Sequence, residues 1–225
     1  MTDSGNLAQK QQKTIVKERQ FKGLSMAERQ QARREKLIEA GIQAYGTHGF
    51  FSVTVKDICN EAKLTERYFY ESFKKSEHLF QTIFLKLIDE LQQNVMQAIM
   101  QASTDPQKMI EAGLRALLTT LQNNPRMARI IYIDAMLVQE LHNQATIHET
   151  MSRFDRMIQG FVMLMMPNLN RSEGEISLVS TGLNGYVTQI AIRWVMSGFK
   201  QSLEDVLSSC SIVFLALFES FSEKI

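Results

Sequence analysis

The sequence predicts an all-α protein of about nine helices, with three N-terminal helices, two of them short, leading into a larger helical body. Three observations carry this. Apolar residues recur three and four apart along most of the chain, and beyond Ser76 no strand-like alternation survives. Asp105-Pro106, Asn124-Pro125, Pro167-Asn168, Ser172 to Glu175 and Ser202 to Asp205 interrupt that pattern, and Pro in a first turn behind Ser, Asn or Asp is a helix start signal. With 225 residues, 44% of them apolar, the chain can build one large domain or a small one joined to a larger one, and is not a disordered protein.

Residues 1–24 carry Lys10, Lys13, Lys17, Arg19 and Lys22 among several Gln. This basic arm is either a solvated tail or a segment that touches DNA backbone or minor groove. Ser25-Met26-Ala27-Glu28 forms a capping box, and Leu37, Ile38, Ile42 and Tyr45 form an apolar stripe. A first helix therefore runs from about Ser25 to Thr47 and stops near Gly46 and Gly49. Arg33, Arg34 and Lys36 lie near its beginning, where a phosphate contact fits.

Thr54 caps a second helix whose third position is Asp57, and Val55, Ile58 and Ala62 give that helix one buried side. Lys63-Leu64-Thr65 breaks the periodicity, with Leu64 plugging the gap between helices and Thr65 capping a third helix. The positive end of that helix lies near Glu66 and Arg67 and can dock on a phosphate. Phe69 and Phe73, four apart, hold it to the protein, which leaves Glu66, Arg67, Tyr68, Tyr70, Glu71 and Ser72 facing outward. Two short helices around a three-residue break form a helix-turn-helix, a motif that places one helix in the DNA major groove. Six further helices are expected at about 76–102, 105–122, 125–141, 144–166, 173–197 and 202–222.

The stretch from Thr54 to Leu79 resembles the DNA-binding signature of the TetR family of bacterial transcriptional regulators. Thr-Val-Lys-Asp-Ile from Thr54, Ala62, Leu64-Thr65, Phe69-Tyr70, Phe73-Lys74, Glu77 and Leu79 all fall in register. The resemblance implies that Arg67 and Tyr68, with Glu66 as a third, face the groove. It also implies phosphate contacts from Tyr70, Lys74, Lys75 and the helix start at Thr54. With Arg33, Lys56, Thr65 and Ser72, these make the expected DNA-facing set. Two positions depart from the family pattern. Lys63 replaces a turn glycine, so a non-glycine residue is expected to take positive φ there, and Ser76 replaces a phosphate-binding lysine, for which Lys75 substitutes. The family fold implies the same nine helices, divided into the arm (1–24), a DNA-binding unit (25–75) and a ligand and dimer unit (76–225).

Net charge is only +1, which by itself argues against a nucleic-acid partner, but its distribution reverses that impression. Residues 1–75 hold 14 Lys and Arg against 9 Asp and Glu, whereas residues 76–225 hold 11 against 15. The basic excess coincides with the helix-turn-helix, as phosphate neutralisation requires. No apolar run of about 18 residues predicts a membrane span, and the polar N-terminus predicts no secretion signal. Cys59 and Cys210, on separate helical patterns, suit a reducing cytoplasm. His48, His78, His142 and His148 are scattered, without metal-ligand spacing, a glycine-rich phosphate loop or a nucleophile elbow, so no enzyme, metal or cofactor is expected.

Eleven of the thirteen methionines lie at or after Met96, and unbranched, polarisable side chains suit a plastic apolar cavity as well as plain core filling. Polar residues within apolar helices narrow the search to Tyr132, Asp134, Asn184, Gln189 and Arg193. The candidate effector-binding residues are Met96, Met100, Met127, Ile131, Tyr132, Met136, Phe154, Met157, Asn184, Gln189 and Arg193. Arg193 equally suits an interface ion pair, and Asn184 an interhelical hydrogen bond. The last two helices carry broad apolar faces: Leu178, Leu183, Tyr186, Ile190 and Trp194, then Val206, Ile212, Val213, Leu215, Leu217, Phe218 and Phe221. Gly182 and Gly185 would admit another helix closely, giving a two-fold four-helix interface.

The expected protein is a cytoplasmic, homodimeric regulator, a repressor released from a palindromic double-stranded DNA operator by a small hydrophobic effector. The effector would sit between the helices at 76–102 and 173–197. The alternatives are a helical lipid or acyl-chain binding protein without DNA binding, which leaves the basic half without a purpose, and an all-helical enzyme, which needs an acid-base or metal constellation.

Overall fold

The computed structural model describes residues 25–139, 141, 146–166 and 171–222. The basic arm, His142, the expected helix start at 144, the break at Pro167-Asn168 and the Phe221 side chain lie outside the described residues.

Helix α1 (Met26–His48) opens on the expected capping box: the Ser25 N–H donates to Glu28 Oε2 at 2.7 Å and the Glu28 N–H to Ser25 Oγ at 3.1 Å. Gly46 does not end it. The helix stops at Gly49, whose φ of 87° is open to glycine, and a 3₁₀ turn follows at Phe50–Ser52. Gly46 serves close packing instead, since a Cβ there would lie 2.9 Å from Arg126 Cα.

Helix α2 (Val55–Ala62) has the second predicted capping box, between Thr54 and Asp57. Lys63 takes the left-handed conformation, φ 53° and ψ 42°, and the Leu64 N–H closes the turn on the Cys59 carbonyl at 2.9 Å. An L-residue is strained in that region by about 1–2 kcal/mol, partly offset in any glycine replacement by the larger entropy of the unfolded glycine. Lys63→Gly should therefore raise stability by roughly 0.5–1 kcal/mol, read from the denaturant midpoint. Helix α3 (Glu66–Ser72) begins after Thr65, whose hydroxyl makes no capping bond.

Helix α4 (Ser76–Gln101) is the long central element. Helix α5 (Pro106–Asn123) starts as expected, with Asp105 Oδ1 accepting from the Gln107 N–H at 2.9 Å. Asn124, at the start of α6, turns its amide back to the Thr120 carbonyl, so it caps the end of α5 and leaves α6 without a side-chain cap. The uninterrupted helix expected over 125–141 is corrected by the structure. Helix α6 begins as Pro125–Arg129, widens into a π-helical stretch at Ile130–Asp134, resumes as Ala135–Leu137, and ends where Val138 turns extended.

Helix α7 (Thr146–Met165) precedes α8 (Glu173–Met196), which has a capping box between Ser172 and Glu175, and α9 (Leu203–Ser222). With α6 counted as one rod, the described residues form nine helices and no strand, as the sequence predicts. No described helix is long and apolar enough to cross a membrane. Both cysteines are buried free thiols.

One apolar core runs through the described helices. Tyr45 and Phe50, from the end of α1 and its following turn, stack against Phe80 of α4 with ring centroids 5.6 and 5.0 Å away. The N-terminal helices are thus continuous in packing with α4 and α6.

Candidate nucleic-acid interface and ligand cavity

The third helix is anchored from below. Phe69 and Phe73 are buried, their rings 5.8 Å apart, and burying each stabilises the attachment by roughly 1.5–3 kcal/mol. With that face fixed, Thr65, Glu66, Arg67, Tyr70 and Lys74 are exposed, as are Thr54 and Lys56 at the start of α2. Tyr68, Ser72 and Lys75 are half-buried. The Arg67 side chain is 84% exposed, and its Nε donates to Glu71 Oε1 at 3.0 Å along the same helix face.

Arg33 occupies a different position from that of a free phosphate ligand. Its guanidinium lies 4.5 Å from the centre of the Tyr68 ring and 3.8 Å from Glu71 Oε2, so it braces α3 from α1. Arg34 does the same one residue on, lying over Phe73 at 4.8 Å.

A second junction lies at the other end of α1. Arg126 Nε donates to Thr47 Oγ1 at 3.2 Å, and the Arg129 guanidinium closes over Gly49 so tightly that a Cβ there would meet it at 2.5 Å. Arg129 Nε stands 3.5 Å from Asp134 Oδ2, with the Asp134 side chain 5% exposed. Burial pushes the Asp134 carboxyl up, while Arg129 and the Phe50 backbone pull it down. The π-helical stretch therefore grips the end of α1 on one side.

On its other side it lines a cavity. Ile131, Tyr132, Ala135 and Met136 from α6 face Phe84 and Ile88 of α4, Thr150, Met151 and Phe154 of α7, and Asn184, Val187 and Thr188 of α8, around a cavity of about 130 Å³. A neighbouring space of about 80 Å³ lies between α4, α5, α7, α8 and α9, with Val95, Ile99, Met109 and Met157 in its wall. Leu117, Phe154, Asn184 and Val187 belong to both walls, so the two are lobes separated by shared side chains. Both are almost wholly apolar, as the walls of small-molecule sites are.

Of the candidate effector residues, Ile131, Tyr132, Met136, Phe154, Met157 and Asn184 line these lobes. Met96 and Met100 lie on the exposed side of α4, Met127 is core, and Gln189 is exposed. Arg193 is also exposed and borders a shallow cleft with Gln201 and Asp205. Thr150, Thr188 and Leu117 escaped the sequence reading. The spacing Ile147, Thr150, Met151, Phe154, Met157, Phe161 places Thr150 on the apolar stripe of α7 and is the signal that could have found it.

No family model and no curated protein sequence matches the chain. Solved structures do. The fatty acid degradation regulator FadR from Bacillus halodurans superposes with a TM-score of 0.70 at 16% identity, covering 81% of this chain and 94% of that one. FadR from Bacillus subtilis in complex with stearoyl-CoA gives 0.65 at 15% identity, covering 80% and 96%. A TetR-like transcriptional regulator from Rhodococcus sp. RHA1 gives 0.61 at 14%, covering 82% and 96%. The chain has the all-helical fold of TetR-like transcriptional regulators. At these identities the likeness is one of fold.

Proposed function

We propose that this chain is a TetR-family transcriptional regulator: a DNA-binding homodimer, a repressor, released from a palindromic operator by a small lipophilic effector. The observation that carries the reading is the pair of sites at the two ends of one connected core. An exposed helix-turn-helix face with Arg67, Tyr70 and Lys74 lies at one end, and an apolar cavity at the other. Residues 25–75 serve as the DNA-reading unit and 76–225 as the effector and dimer unit, and the protein acts in the cytoplasm.

The π-helical stretch of α6 supplies the coupling. Its inner residues Ile131 and Tyr132 border the cavity, and its flanking Arg129 and Asp134 hold the end of α1. An occupant that alters the α6 wall biases the position of α1 and, through Arg33 and Arg34, of α3. This path complements α4, which begins immediately after Lys75. Operator affinity measured with and without lipophilic molecules found in the cavity tests the reading, and an affinity unchanged by every such molecule would exclude the inducible mechanism.

Dimerisation through α8 and α9 fits the distribution of exposure. Leu183, Trp194 and Val206 are buried within the chain, while Leu178 and Ile212 stand 75% and 66% exposed, and the space beside Gly182 and Gly185 is open. Leu178→Glu should convert the dimer to monomer in light scattering and reduce operator affinity at least about tenfold, because each half-site then binds alone.

A further inference from the structure

Thr150 is 4% exposed, and its Oγ1 is buried without a hydrogen-bond partner. A helical Ser or Thr has an obvious remedy in the carbonyl four residues earlier, and this chain uses it repeatedly. Thr82 donates to His78 at 2.9 Å, Ser152 to His148 at 2.9 Å and Ser180 to Ile176 at 2.8 Å. Thr150 does not, and it stands in the cavity wall. An unsatisfied buried hydroxyl costs about 1–3 kcal/mol, so an occupant offering a hydrogen bond there gains what the empty protein forgoes.

The electrostatics of the same wall decide what kind of group can make that bond. Among the described residues no Lys, Arg or His lines either lobe. A charge tied to the wall is negative: Asn184 Nδ2 donates to Asp155 Oδ1 at 2.7 Å, and Thr181 to Asp155 Oδ2 at 2.9 Å. Arg153, on the same helix, is held outside by Asp89 and Gln92 at 2.6 and 2.7 Å. A carboxylate brought into this cavity would lose its hydration without meeting a cation, whereas a hydroxyl or carbonyl would lose far less.

Resting on the reading of the cavity as the effector site, we propose that it selects an uncharged lipophilic molecule bearing a hydroxyl or carbonyl, and that Thr150 is the residue that recognises that group. Fatty acid anions and other acyl anions are disfavoured, in contrast to the stearoyl-CoA held by the Bacillus subtilis regulator of the same fold.

The test uses the full-length dimer and the neutral fluorophore N-phenyl-1-naphthylamine, displaced by decanol or by decanoate at about pH 8, where decanoate is ionised. Decanol should displace the fluorophore at concentrations at least about tenfold lower than decanoate. Thr150→Val should weaken decanol by roughly three- to tenfold, read against the fluorophore affinity measured for each protein. The unliganded variant should melt no lower than wild type, because an unsatisfied hydroxyl has been removed. Equal or stronger displacement by decanoate would overturn the selectivity while leaving the cavity as an effector site. Undiminished decanol affinity in the variant, or a lowered melting temperature of the unliganded variant, would overturn the role of Thr150. If wild type binds neither the fluorophore nor decanol by calorimetry, the cavity is no effector site and both readings fall.

Discussion

Arg67→Ala should weaken operator binding by about 1–3 kcal/mol, roughly five- to 150-fold, and flatten the preference for one base pair in each half-site. The expectation follows from how the side chain is held. Phe69 and Phe73 fix the roll of α3, and Arg67 projects from the opposite face at 84% exposure. Its one tether is Glu71, an exposed pair worth only a few tenths of a kcal/mol, which a guanine edge offering two acceptors can replace. Lys74→Ala makes the informative contrast. Lys74 is exposed just past the end of α3 and suits a phosphate, so its loss should weaken all sequences alike and shallow the salt dependence by about one phosphate per half-site. Binding isotherms on operator variants at several salt concentrations distinguish the two. An Arg67→Ala protein with unchanged base preference would show that α3 does not read sequence through this residue.

Arg129→Met should destabilise the fold by about 3 kcal/mol near neutral pH, the low end for breaking a buried pair because Arg129 itself reaches solvent. The pH dependence gives the sign. Burial already holds the folded-state carboxyl of Asp134 above its ordinary range, and removing Arg129 deletes the largest opposing influence. A group whose folded pKa is raised contributes stability that is complete below its unfolded pKa and is lost as pH rises through the folded value. The penalty of Arg129→Met should therefore be small near about pH 4 and grow toward neutrality. Adding Asp134→Asn should recover much of the loss at neutral pH, since no buried charge remains. Denaturant unfolding at fixed protein concentration measures each step, and a penalty independent of pH would remove Asp134 from the account. If α6 carries the effector signal, the folded double variant should also bind operator with a weakened response to lipophilic molecules.

The parts legible in the sequence were those fixed by neighbours in sequence. The capping boxes at Ser25 and Thr54 and the helix start at Ser172 each rest on residues three apart, and the left-handed turn at Lys63 was expected because that residue stands where the resembled family carries a turn glycine. The π-helical stretch was not legible. It is one extra residue per turn, placed where Arg129 must meet Gly49 while Ile131 and Tyr132 meet the cavity, and that requirement comes from three dimensions. Methionine content pointed to the right half of the chain but the wrong face of α4. Val95 and Ile99 line the cavity, and Met96 and Met100, each one residue later, are turned away by roughly 100°. Gln189 misses in the same manner beside Thr188. Arg33 was legible as a cation near α3, though its stacking on Tyr68 depends on the crossing of α1 and α3.

As proposed above, this fold reads a two-fold DNA site. Purified dimer should enrich a palindromic sequence from sheared genomic DNA of the source organism, with an affinity for it that falls steeply as salt rises. Recovery of no common sequence, together with DNA binding that is absent or indifferent to salt, would contradict it.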